Sequence, residues 1–380
     1  MNNISLLAAV KNNLEYSKHF YNTTRALYPE IEICFSSYNS TDGTDEWLES
    51  LKDDPYTKVF YTQDKGNFSD NYNKAASLAT KDYITFVHND IVLAPNFIEN
   101  LEKHLNPNTI VSYTTIEPPI FAGHERPGKI IYDLGTELNT FSIEKFYQFA
   151  QEKQIEYKDK IEPGIVFFMC MPKDKYLEIG GLDNLYNPMF CEDDDLILRW
   201  KLLNMNLITS LDAITYHFVS KTSRFSDEYQ QRTQQIELNS NRNFVRKWGN
   251  RNPKVKYNIA FVVHNCNLQL LELLEIWCDR IYTSETYTVG RMWDYVEMEQ
   301  SNTKFDLSKR VLTIEHNNPV EENDIIVEFD TTKLNQNNFQ LLQQLPEIIH
   351  ESGEIGEFEL DIFKVTINSL ETYENTLIKI

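Results

Sequence analysis

The chain has 380 residues and a net charge of −21, because 57 Asp and Glu residues outnumber 36 Lys and Arg residues. Its 41% hydrophobic and 24% charged residues are typical of a globular protein and exclude disorder as the main state. The negative charge disfavours binding along a nucleic-acid backbone, and no apolar run reaches the roughly 20 residues needed to cross a bilayer, so we expect neither nucleic-acid binding nor a membrane span.

Strands and helices alternate through the first quarter of the chain. Continuous apolar runs predict buried strands, and apolar residues at helical spacing predict helices. In chain order these are the strand Ile4–Val10, the helix Leu14–Leu27, the strand 31–35, the helix 46–51, the strand 59–62, the helix 67–79, the strand Tyr83–His88 and the helix 95–104. The alternation predicts a mostly parallel sheet with helices on both faces.

The pattern breaks between residues 116 and 163, where Pro118-Pro119 and Pro127-Gly128 mark loops before a helix over 143–153. An irregular insertion inside a compact domain is usually functional or mobile. Regular elements then return as a strand over 164–171, helices over 173–179 and 193–203, a strand over 207–216 and a helix over 229–248.

A second domain is expected after residue 250, where the pattern changes again. It contains strands over 257–263, 311–314 and 324–329 and helices over 268–278 and 336–347. Residues 251–380 hold 22 acidic and 11 basic residues, a net charge of −11. We therefore expect a domain over 1–250 and a smaller, acidic α/β or α+β domain over 251–380, whose role is open and which can form a homo-oligomer.

Cysteine usage indicates an intracellular protein. The five cysteines are few, odd in number and widely spaced, so they match neither a disulfide framework nor a zinc motif. We expect reduced, buried thiols and a cytoplasmic location. The apolar stretch Ile4–Val10 is short and ends at Lys11, so it predicts a strand and not a secretory signal.

Polar residues follow two of the predicted strands at their carboxyl ends, where open α/β sheets bind ligands. The segment 36–44 is small, polar and turn-forming, so it can approach a nucleotide closely, although Asp42 or Thr44 can equally cap the next helix. His88-Asn89-Asp90 places an imidazole and a carboxylate where a divalent cation would hold a diphosphate, although the same residues suit a surface turn.

Four consecutive acids, Glu192 to Asp195, begin a predicted helix. They suit the positive end of the helix dipole, but adjacent like charges also repel, and a crowded, desolvated carboxylate has the raised pKa of a general base. Further on, His217 follows a strand and is either a structural histidine or another metal ligand. Lys221 and Arg224 lie in a polar segment that is either simply solvated or closes over a diphosphate.

The order of these features resembles the family 2 glycosyltransferases of the GT-A fold, over about residues 3–250. The matching residues are Ala8-Ala9-Val10-Lys11-Asn12, Asn39-Ser40-Thr41-Asp42-Gly43-Thr44, Gly66, Asn73, His88-Asn89-Asp90, Gly180-Gly181-Leu182-Asp183, Glu192-Asp193-Asp194-Asp195-Leu196, Arg199 and His217. The Ser-Thr-Asp-Gly-Thr segment and the spacing from Gly-Gly-Leu-Asp to Glu-Asp-Asp-Asp-Leu are the most specific. The resemblance implies a Rossmann-like mixed sheet and a glycosyltransferase.

The resemblance also implies roles for individual residues. Asp193 is the expected base of an inverting transfer, and Asp90 and His217 are the expected ligands of Mn²⁺ or Mg²⁺ on the leaving diphosphate. The residues expected to bind the nucleotide-diphospho-sugar, with a UDP-sugar favoured, are Val10, Asn12, Ser37, Ser40, Asp42, Gly66, Asn73, His88, Asn89, Lys221 and Arg224. Glu192, Asp194 and the insertion 116–163, as acceptor site or lid, are expected to contact a glycan or other saccharide acceptor in polysaccharide biosynthesis.

The sequence departs from the family pattern at two places. Ser37-Tyr38 stands where the family usually has an aspartate near the base or ribose, and His88 replaces the first acid of Asp-x-Asp. Neutral histidine can still ligate a metal or hydrogen-bond a ribose. Three alternatives therefore stay open beside the inverting transferase: a retaining transferase, a nucleotidyltransferase and a glycan- or nucleotide-binding protein without catalysis.

Overall fold

The structure is a computed structural model that describes residues 3–120, 125–219, 229–249, 255–284 and 292–372. The chain forms two compact units, Met1–Thr233 and Gln234–Ile380. The boundary predicted at residue 250 lies later in the chain than the division in the structure, which falls at the start of the long helix Thr233–Trp248. Within the described ranges, no helix has both the length and the apolar character needed to span a membrane.

The first unit alternates strands and helices as the sequence predicts. Its strands are β1 (Ile4–Val10), β2 (Glu32–Tyr38), β3 (Thr57–Thr62), β4 (Tyr83–His88), β5 (Ile91–Leu93), β6 (Thr109–Glu117), β7 (Lys129–Ile131), β8 (Ile161–Pro163), β9 (Met169–Pro172) and β10 (Asn206–His217). Its helices are α1 (Leu14–Leu27), α2 (Thr44–Ser50), α3 (Phe68–Leu78), α4 (Phe97–Glu102), α5 (Ile143–Glu156), α6 (Lys173–Glu178) and α7 (Glu192–Leu202).

A mixed, mostly parallel sheet of ten strands organises this unit. Its main order is β3-β2-β1-β4-β9-β6-β10-β5, with β7 beside β6 and β8 beside β10. Strands β3, β2, β1 and β4 are parallel, and β9 joins β4 to β6 in antiparallel pairing. The chain reverses its direction of travel across the sheet between β1 and β4, so a crevice is expected at the carboxyl ends of these two strands.

Both faces of the sheet are covered, which explains why β1 is apolar throughout. Side chains alternate between the faces of a strand. Leu6 accordingly packs in a buried cluster with Phe20 of α1, and Leu7 packs in a different cluster with Tyr72 of α3. A strand buried on both sides therefore has the continuous hydrophobic run seen in Ile4–Val10.

The insertion is more regular than its sequence indicates. The described part of residues 116–163 contains β7, α5 and β8, and the two short strands extend the main sheet. The strand predicted over 164–171 is wrong in its first half, because regular pairing begins only at Met169. Gly164 has a φ of 96°, a left-handed conformation that interrupts an extended strand.

The second unit contains its own α/β sheet. After helix α8 (Thr233–Trp248) come β11 (Ile259–His264), α9 (Leu268–Leu274), β12 (Arg280–Thr283), α10 (Met292–Gln300), β13 (Val311–Thr313), α11 (Pro319–Glu322), β14 (Ile325–Asp330), α12 (Gln336–Ser352), β15 (Gly356–Leu360) and β16 (Phe363–Ile367). Short 3₁₀ helices cover Glu275–Trp277, Leu307–Lys309 and Thr331–Lys333.

The two units share one topological feature. The six-stranded sheet of the second unit has the order β13-β12-β11-β14-β16-β15, and its first four strands are parallel. This order repeats the arrangement β3-β2-β1-β4 of the first unit. The antiparallel hairpin of β15 and β16 completes the sheet at one edge. The expected fold class, a mostly parallel α/β sheet followed by a second α/β domain, is confirmed.

Candidate active site

Three of the predicted residues form a compact cluster with the ligand types of a metal site. His88 ends β4, His217 ends β10, and Asp90 lies between β4 and β5. The Nδ1 atom of His88 lies 3.3 Å from Nε2 of His217 and 3.8 Å from Oδ1 of Asp90. The Nε2 atom of His217 lies 3.4 Å from the same carboxylate oxygen. Strand pairing brings the cluster together, because His217 stands opposite Ile91 in the ladder between β10 and β5.

The spacing of these atoms fits a single divalent cation. Metal–ligand bonds of about 2.1 Å place neighbouring ligands about 3.0 Å apart in an octahedron and about 3.4 Å apart in a tetrahedron. The three observed separations, 3.3, 3.4 and 3.8 Å, are close to these values. Two imidazoles and one carboxylate on one face of an ion leave its other positions open for a ligand.

Glu117, which is not among the predicted site residues, forms a hydrogen bond with His217 of this cluster. It ends β6, and its Oε1 atom accepts a hydrogen bond of 3.0 Å from Nδ1 of His217. Its other oxygen lies 2.6 Å from the Nζ atom of Lys129 on β7. Burial alone would raise the pKa of Glu117, but the hydrogen bond from His217 and the Lys129 ammonium outweigh it and lower the pKa to about 2.

The two imidazoles of the cluster have opposite electrostatic environments. Burial would lower the pKa of His217, but the carboxylates of Asp90 and Glu117 outweigh it and raise the value to about 9. Burial dominates at His88 and lowers its pKa to about 4. The His88 ring lies against Phe167 and Phe168, with ring centroids 5.0 and 4.8 Å away. A neutral His88 has a lone pair available for a metal.

A pocket opens beside the cluster at the carboxyl edge of the sheet. His88, Asn89, Asp90 and His217 form part of its wall, and the predicted Gly66 lines it as well. The other lining residues are Ala9, Lys11, Tyr38, Asn67, Phe68, Asn71, Pro188, Met189 and Tyr229. The pocket therefore lies at the crevice that the reversal between β1 and β4 predicts.

Lys11 gives this pocket a positive charge. Among the described lining residues it is the one Lys or Arg, and its Nζ atom donates a hydrogen bond of 3.3 Å to the Tyr229 hydroxyl. An ammonium group beside candidate metal ligands is a suitable counter-charge for a phosphate. The two basic residues that the sequence analysis proposes for this task, Lys221 and Arg224, lie outside the described residues.

Tyr38 explains why residue 66 is a glycine. A Cβ atom at Gly66 would lie 2.4 Å from a carbon of the Tyr38 ring, which is closer than atoms can approach. The ring therefore packs directly on the backbone at this position, and both residues face the pocket. An aromatic face of this kind can stack on a base or a sugar.

The predicted donor residues at the ends of β1 and β2 form hydrogen bonds with nearby residues of the first unit and are not among the residues that line the pocket. The backbone N–H of Asn12 donates to Oγ of Ser40, and Oδ1 of Asn12 accepts from the N–H of Thr41. Asp42 accepts from the N–H of Leu14, and the hydroxyl of Ser37 donates to Asp45. The buried Val10 accepts a hydrogen bond from Asn71, at its carbonyl. Their contacts with a donor stay predictions.

Asn73 is placed away from the pocket residues, with both ends of its amide engaged. Its Nδ2 group donates to the carbonyl of Leu182, and its Oδ1 atom accepts from the Leu182 N–H and the Tyr176 hydroxyl. A Cβ atom at Gly181 would lie 2.2 Å from Oδ1 of Asn73. These contacts anchor the Gly-Gly-Leu-Asp turn on α3 and explain its second glycine, so they do not support the ribose contact expected of Asn73.

The four acids at the start of α7 have different surroundings. Glu192 is buried, and its burial together with the charge of Asp193 raises its pKa well above the usual range. Asp193 and Asp194 are half-buried. Asp195 is fully buried and accepts hydrogen bonds from Nε of Arg199 and from the Tyr186 hydroxyl.

The backbone before these acids is strained. Phe190 and Cys191 have φ angles of 78° and 68°, a left-handed conformation that costs about 1–2 kcal/mol for a residue with a side chain. Strain of this kind persists where surrounding contacts impose it, and it is common at functional sites. The strained pair joins Met189, which lines the pocket, to Glu192 at the start of α7.

Comparisons with known proteins agree with the resemblance for the first unit. Residues 5–177 match the model of the family described as glycosyl transferase family 2. No curated protein matches the sequence. The family match and the mixed sheet together confirm the expected GT-A fold class.

Similar solved structures include three proteins of low sequence identity. A mannosyltransferase from Pyrobaculum calidifontis, in complex with GDP-Man and Mn²⁺, is 15% identical, with a TM-score of 0.44 over 64% of each chain. Residues 1–349 of TarS from S. aureus are 13% identical, with a TM-score of 0.41 over 64% of this chain and 80% of that one. GalNAc-T7 with UDP, GalNAc and Mn²⁺ is 12% identical, with a TM-score of 0.44 over 64% and 47%. The chain covers less than two thirds of the first and third of these structures.

Proposed function

On the premise that this chain is a glycosyltransferase with a family 2 domain at residues 5–177, we propose that it uses a divalent metal to transfer a sugar from a nucleotide-diphospho-sugar to a hydroxyl acceptor. One observation carries the proposal. The atoms of His88, Asp90 and His217 that can ligate a metal all lie within 4.8 Å of one another, and these residues face a pocket at the carboxyl edge of the sheet. The donor set fits Mn²⁺, which accepts imidazole and carboxylate together, and Mg²⁺ is the second candidate.

The metal and the residues of the pocket would have different roles in binding the donor. When bound to His88, Asp90 and His217, the cation would supply Lewis-acid stabilisation of the charge on the leaving diphosphate. Lys11 faces the same pocket and would bind a phosphate oxygen. Tyr38 would lie against the nucleotide, and we favour a UDP-sugar as the donor.

Asp193 is the proposed general base. It would take the proton of the acceptor hydroxyl as the hydroxyl oxygen attacks the anomeric carbon, so the transfer would invert the configuration. Its half-buried position in the first turn of α7 supports this role, because a base must be reachable by the acceptor and partly shielded from water. Glu192, Asp194 and the insertion 116–163 are the proposed acceptor contacts.

The acceptor and cellular setting are proposals of a broader kind. We propose a glycan or other saccharide acceptor in polysaccharide biosynthesis. A cytoplasmic location is supported by the five buried cysteine thiols. The second unit has no matching family model, and we propose that it provides the contacts through which a homo-oligomer forms.

A thermal-shift matrix tests the donor and the metal together. UDP, GDP, dTDP, CDP and ADP are each added with and without Mn²⁺, and a ligand at 100 times its dissociation constant stabilises a protein by about 2.7 kcal/mol. We expect one diphosphate, UDP, to raise the melting temperature only when Mn²⁺ is present. Absence of stabilisation by every nucleotide at millimolar concentration would favour a protein that binds glycans without catalysis.

Product analysis then tests the reaction itself. With the sugar nucleotide identified by the matrix, NMR of the product gives the anomeric configuration, and EDTA gives the dependence on metal. We expect inversion and loss of turnover in EDTA. A retained configuration contradicts Asp193 as the base of a single displacement, and full activity in EDTA removes the metal from the mechanism.

A further inference from the structure

The carboxylate of Glu117 lies between the cluster of candidate metal ligands and Lys129, a residue that belongs to no motif of the sequence. One oxygen accepts a hydrogen bond of 3.0 Å from Nδ1 of His217, and the other lies 2.6 Å from Nζ of Lys129. Only 11% of the Glu117 side chain and 8% of the His217 side chain are exposed. Lys129, Glu117 and His217 are therefore joined in series, from the partly exposed Lys129 to the cluster of candidate metal ligands.

The direction of the hydrogen bond between His217 and Glu117 decides which ring nitrogen of His217 can bind a metal. An imidazole can bind a metal only through a nitrogen that carries no proton, and the other nitrogen then keeps its proton. A carboxylate accepts hydrogen bonds and does not donate them, so Glu117 holds the proton on Nδ1. The Nε2 atom, which lies 3.4 Å from Asp90 and 3.3 Å from His88, is then the nitrogen that faces the cluster.

Rigid elements fix this geometry. Glu117 ends β6 and His217 ends β10, and these parallel strands pair Ile116 with Tyr216. The next residue of each strand is therefore placed at the same level of the sheet. Lys129 begins β7, which pairs with β6 over Thr115–Glu117. A partner held by sheet pairing controls the orientation of an imidazole better than one on a loop.

We propose that Glu117 is a positioning residue that orients His217 for metal binding through Nε2, and that Lys129 acts through Glu117 by balancing its buried charge. The inference rests on the proposed metal-dependent function, and it adds residues that lie outside the metal-ligand set. Carboxylate partners of metal-bound histidines typically contribute 10–100-fold to metal affinity.

Calorimetric titration with Mn²⁺ alone tests the role of Glu117 without any assay of turnover. We expect Glu117→Leu to weaken Mn²⁺ binding by about 10–100-fold. Glu117→Gln should weaken it less, because the amide oxygen still accepts from Nδ1. Glu30→Gln is the matched control, since it removes one negative charge from an exposed turn outside the metal-ligand cluster and should leave the Mn²⁺ affinity unchanged. Equal affinities of Glu117→Leu, Glu117→Gln and the unsubstituted protein overturn the proposal.

A double-mutant cycle tests whether Lys129 acts through Glu117. We expect Lys129→Met to weaken Mn²⁺ binding in the unsubstituted background and to have no further effect in the Glu117→Gln background. Equal effects in both backgrounds overturn this part of the proposal. If Glu117→Leu fails to fold, Glu117→Gln and the cycle still decide the question.

The protonation of His217 gives a readout that a purely structural ion pair would not determine. In protein loaded with diamagnetic Zn²⁺, ¹⁵N NMR of the imidazole ring reports which nitrogen carries the proton. We expect the proton on Nδ1, and binding of the metal through Nδ1 overturns the proposal. Failure of the unsubstituted protein to bind Mn²⁺ or Zn²⁺ refutes the metal site itself, whereas unchanged binding by the Glu117 variants refutes this inference alone.

Discussion

The Nδ1 atom of His88 and the Nε2 atom of His217 lie 3.3 Å apart and face each other beside Asp90. Without a metal, the Nε2–H of protonated His217 can donate to the lone pair on Nδ1 of neutral His88, whereas one bound cation can accept a lone pair from each of the two nitrogens. His88 stands where the family pattern has the first acid of Asp-x-Asp, so the replacement changes the chemistry of the ligand set from oxygen towards nitrogen.

The first prediction concerns metal preference. Mg²⁺ prefers oxygen ligands, whereas Mn²⁺ also accepts imidazole, so the unsubstituted protein should bind Mn²⁺ more tightly than Mg²⁺. We expect His88→Asp to lower the ratio of the two affinities by about tenfold or more, which corresponds to about 1.4 kcal/mol. Calorimetric titrations with each ion give the ratio. His104→Asp, the same change outside the cluster, is the control, and an unchanged ratio in His88→Asp argues against His88 as a ligand.

The second prediction separates the base from the donor site. Asp193→Asn should lower kcat by about 10²–10⁴, the usual contribution of a general base, because an amide cannot accept the proton of the acceptor. Stabilisation by Mn²⁺ with the nucleoside diphosphate should persist. Asp194→Asn makes the same change at the next, similarly half-buried position and should lower kcat much less. Sugar transfer at the original rate by Asp193→Asn would show that Asp193 is not the base.

The sequence predicts Asp90 and His217 as metal ligands and His88 as a donor contact, whereas the hydrogen bond between Glu117 and His217 could not be predicted. His88, Asp90 and His217 follow apolar strands, and the ends of neighbouring strands meet at one edge of a sheet. Glu117 also ends a strand, but it meets His217 through the pairing of β6 with β10, which joins residues 100 positions apart. No local sequence pattern indicates this pairing. The sequence shows Tyr38 only as a departure from the family pattern, because its position against Gly66 depends on the packing of a loop.

The second unit illustrates the same difference between local and distant signals. The strand and helix over β11 and α9 follow from a continuous apolar run and helical spacing. The hairpin of β15 and β16 is not among the predicted elements, although Gly356–Leu360 and Phe363–Ile367 alternate apolar and polar residues, which is the pattern of a half-exposed strand. The repeated order of four parallel strands became visible only in the structure, because it depends on which strands pair.

The third prediction concerns the dependence of stability on pH. Burial and Asp193 raise the pKa of Glu192 well above its usual 4.5, so the folded protein keeps a proton that the unfolded chain releases above pH 4.5. The contribution of Glu192 to stability therefore falls as the pH rises above 4.5 towards its folded-state pKa. Glu192→Gln should raise the melting temperature at pH 8, because the amide has no charge to bury, and should have little effect at pH 4, where the Glu192 side chain is neutral in the folded protein.

Melting temperatures at the two pH values test this prediction. Glu178→Gln, which removes a charge from the exposed end of α6, is the control and should have little effect at either pH. A gain in Glu192→Gln that is the same at pH 4 and pH 8 would mean that the benefit comes from packing and not from ionisation.

The fourth prediction addresses the buried charges of the second unit. Arg246 on α8 makes two hydrogen bonds of 2.7 and 2.8 Å to Glu275, and only 1% of each side chain is exposed. The Tyr295 hydroxyl donates a further hydrogen bond to Glu275. Arg246→Met should destabilise this unit by about 3–5 kcal/mol, because it removes both hydrogen bonds of a buried ion pair and leaves Glu275 with Arg310, whose Nε atom lies 3.4 Å away, as its remaining cation. Lys309→Met removes a cation that is 80% exposed and should cost less than about 1 kcal/mol.

Hydrogen exchange in urea distinguishes a local effect from a global one, because peptides from 234–380 and from 5–177 are read separately in the full chain. We expect Arg246→Met to lower protection in the former and to leave the latter unchanged. The double variant Arg246→Met with Glu275→Gln should recover part of the loss, since it removes the poorly compensated charge of Glu275 as well as its partner. A double variant that is no more stable than Arg246→Met would indicate that shape and hydrogen bonding, and not the buried charge of Glu275, account for the loss.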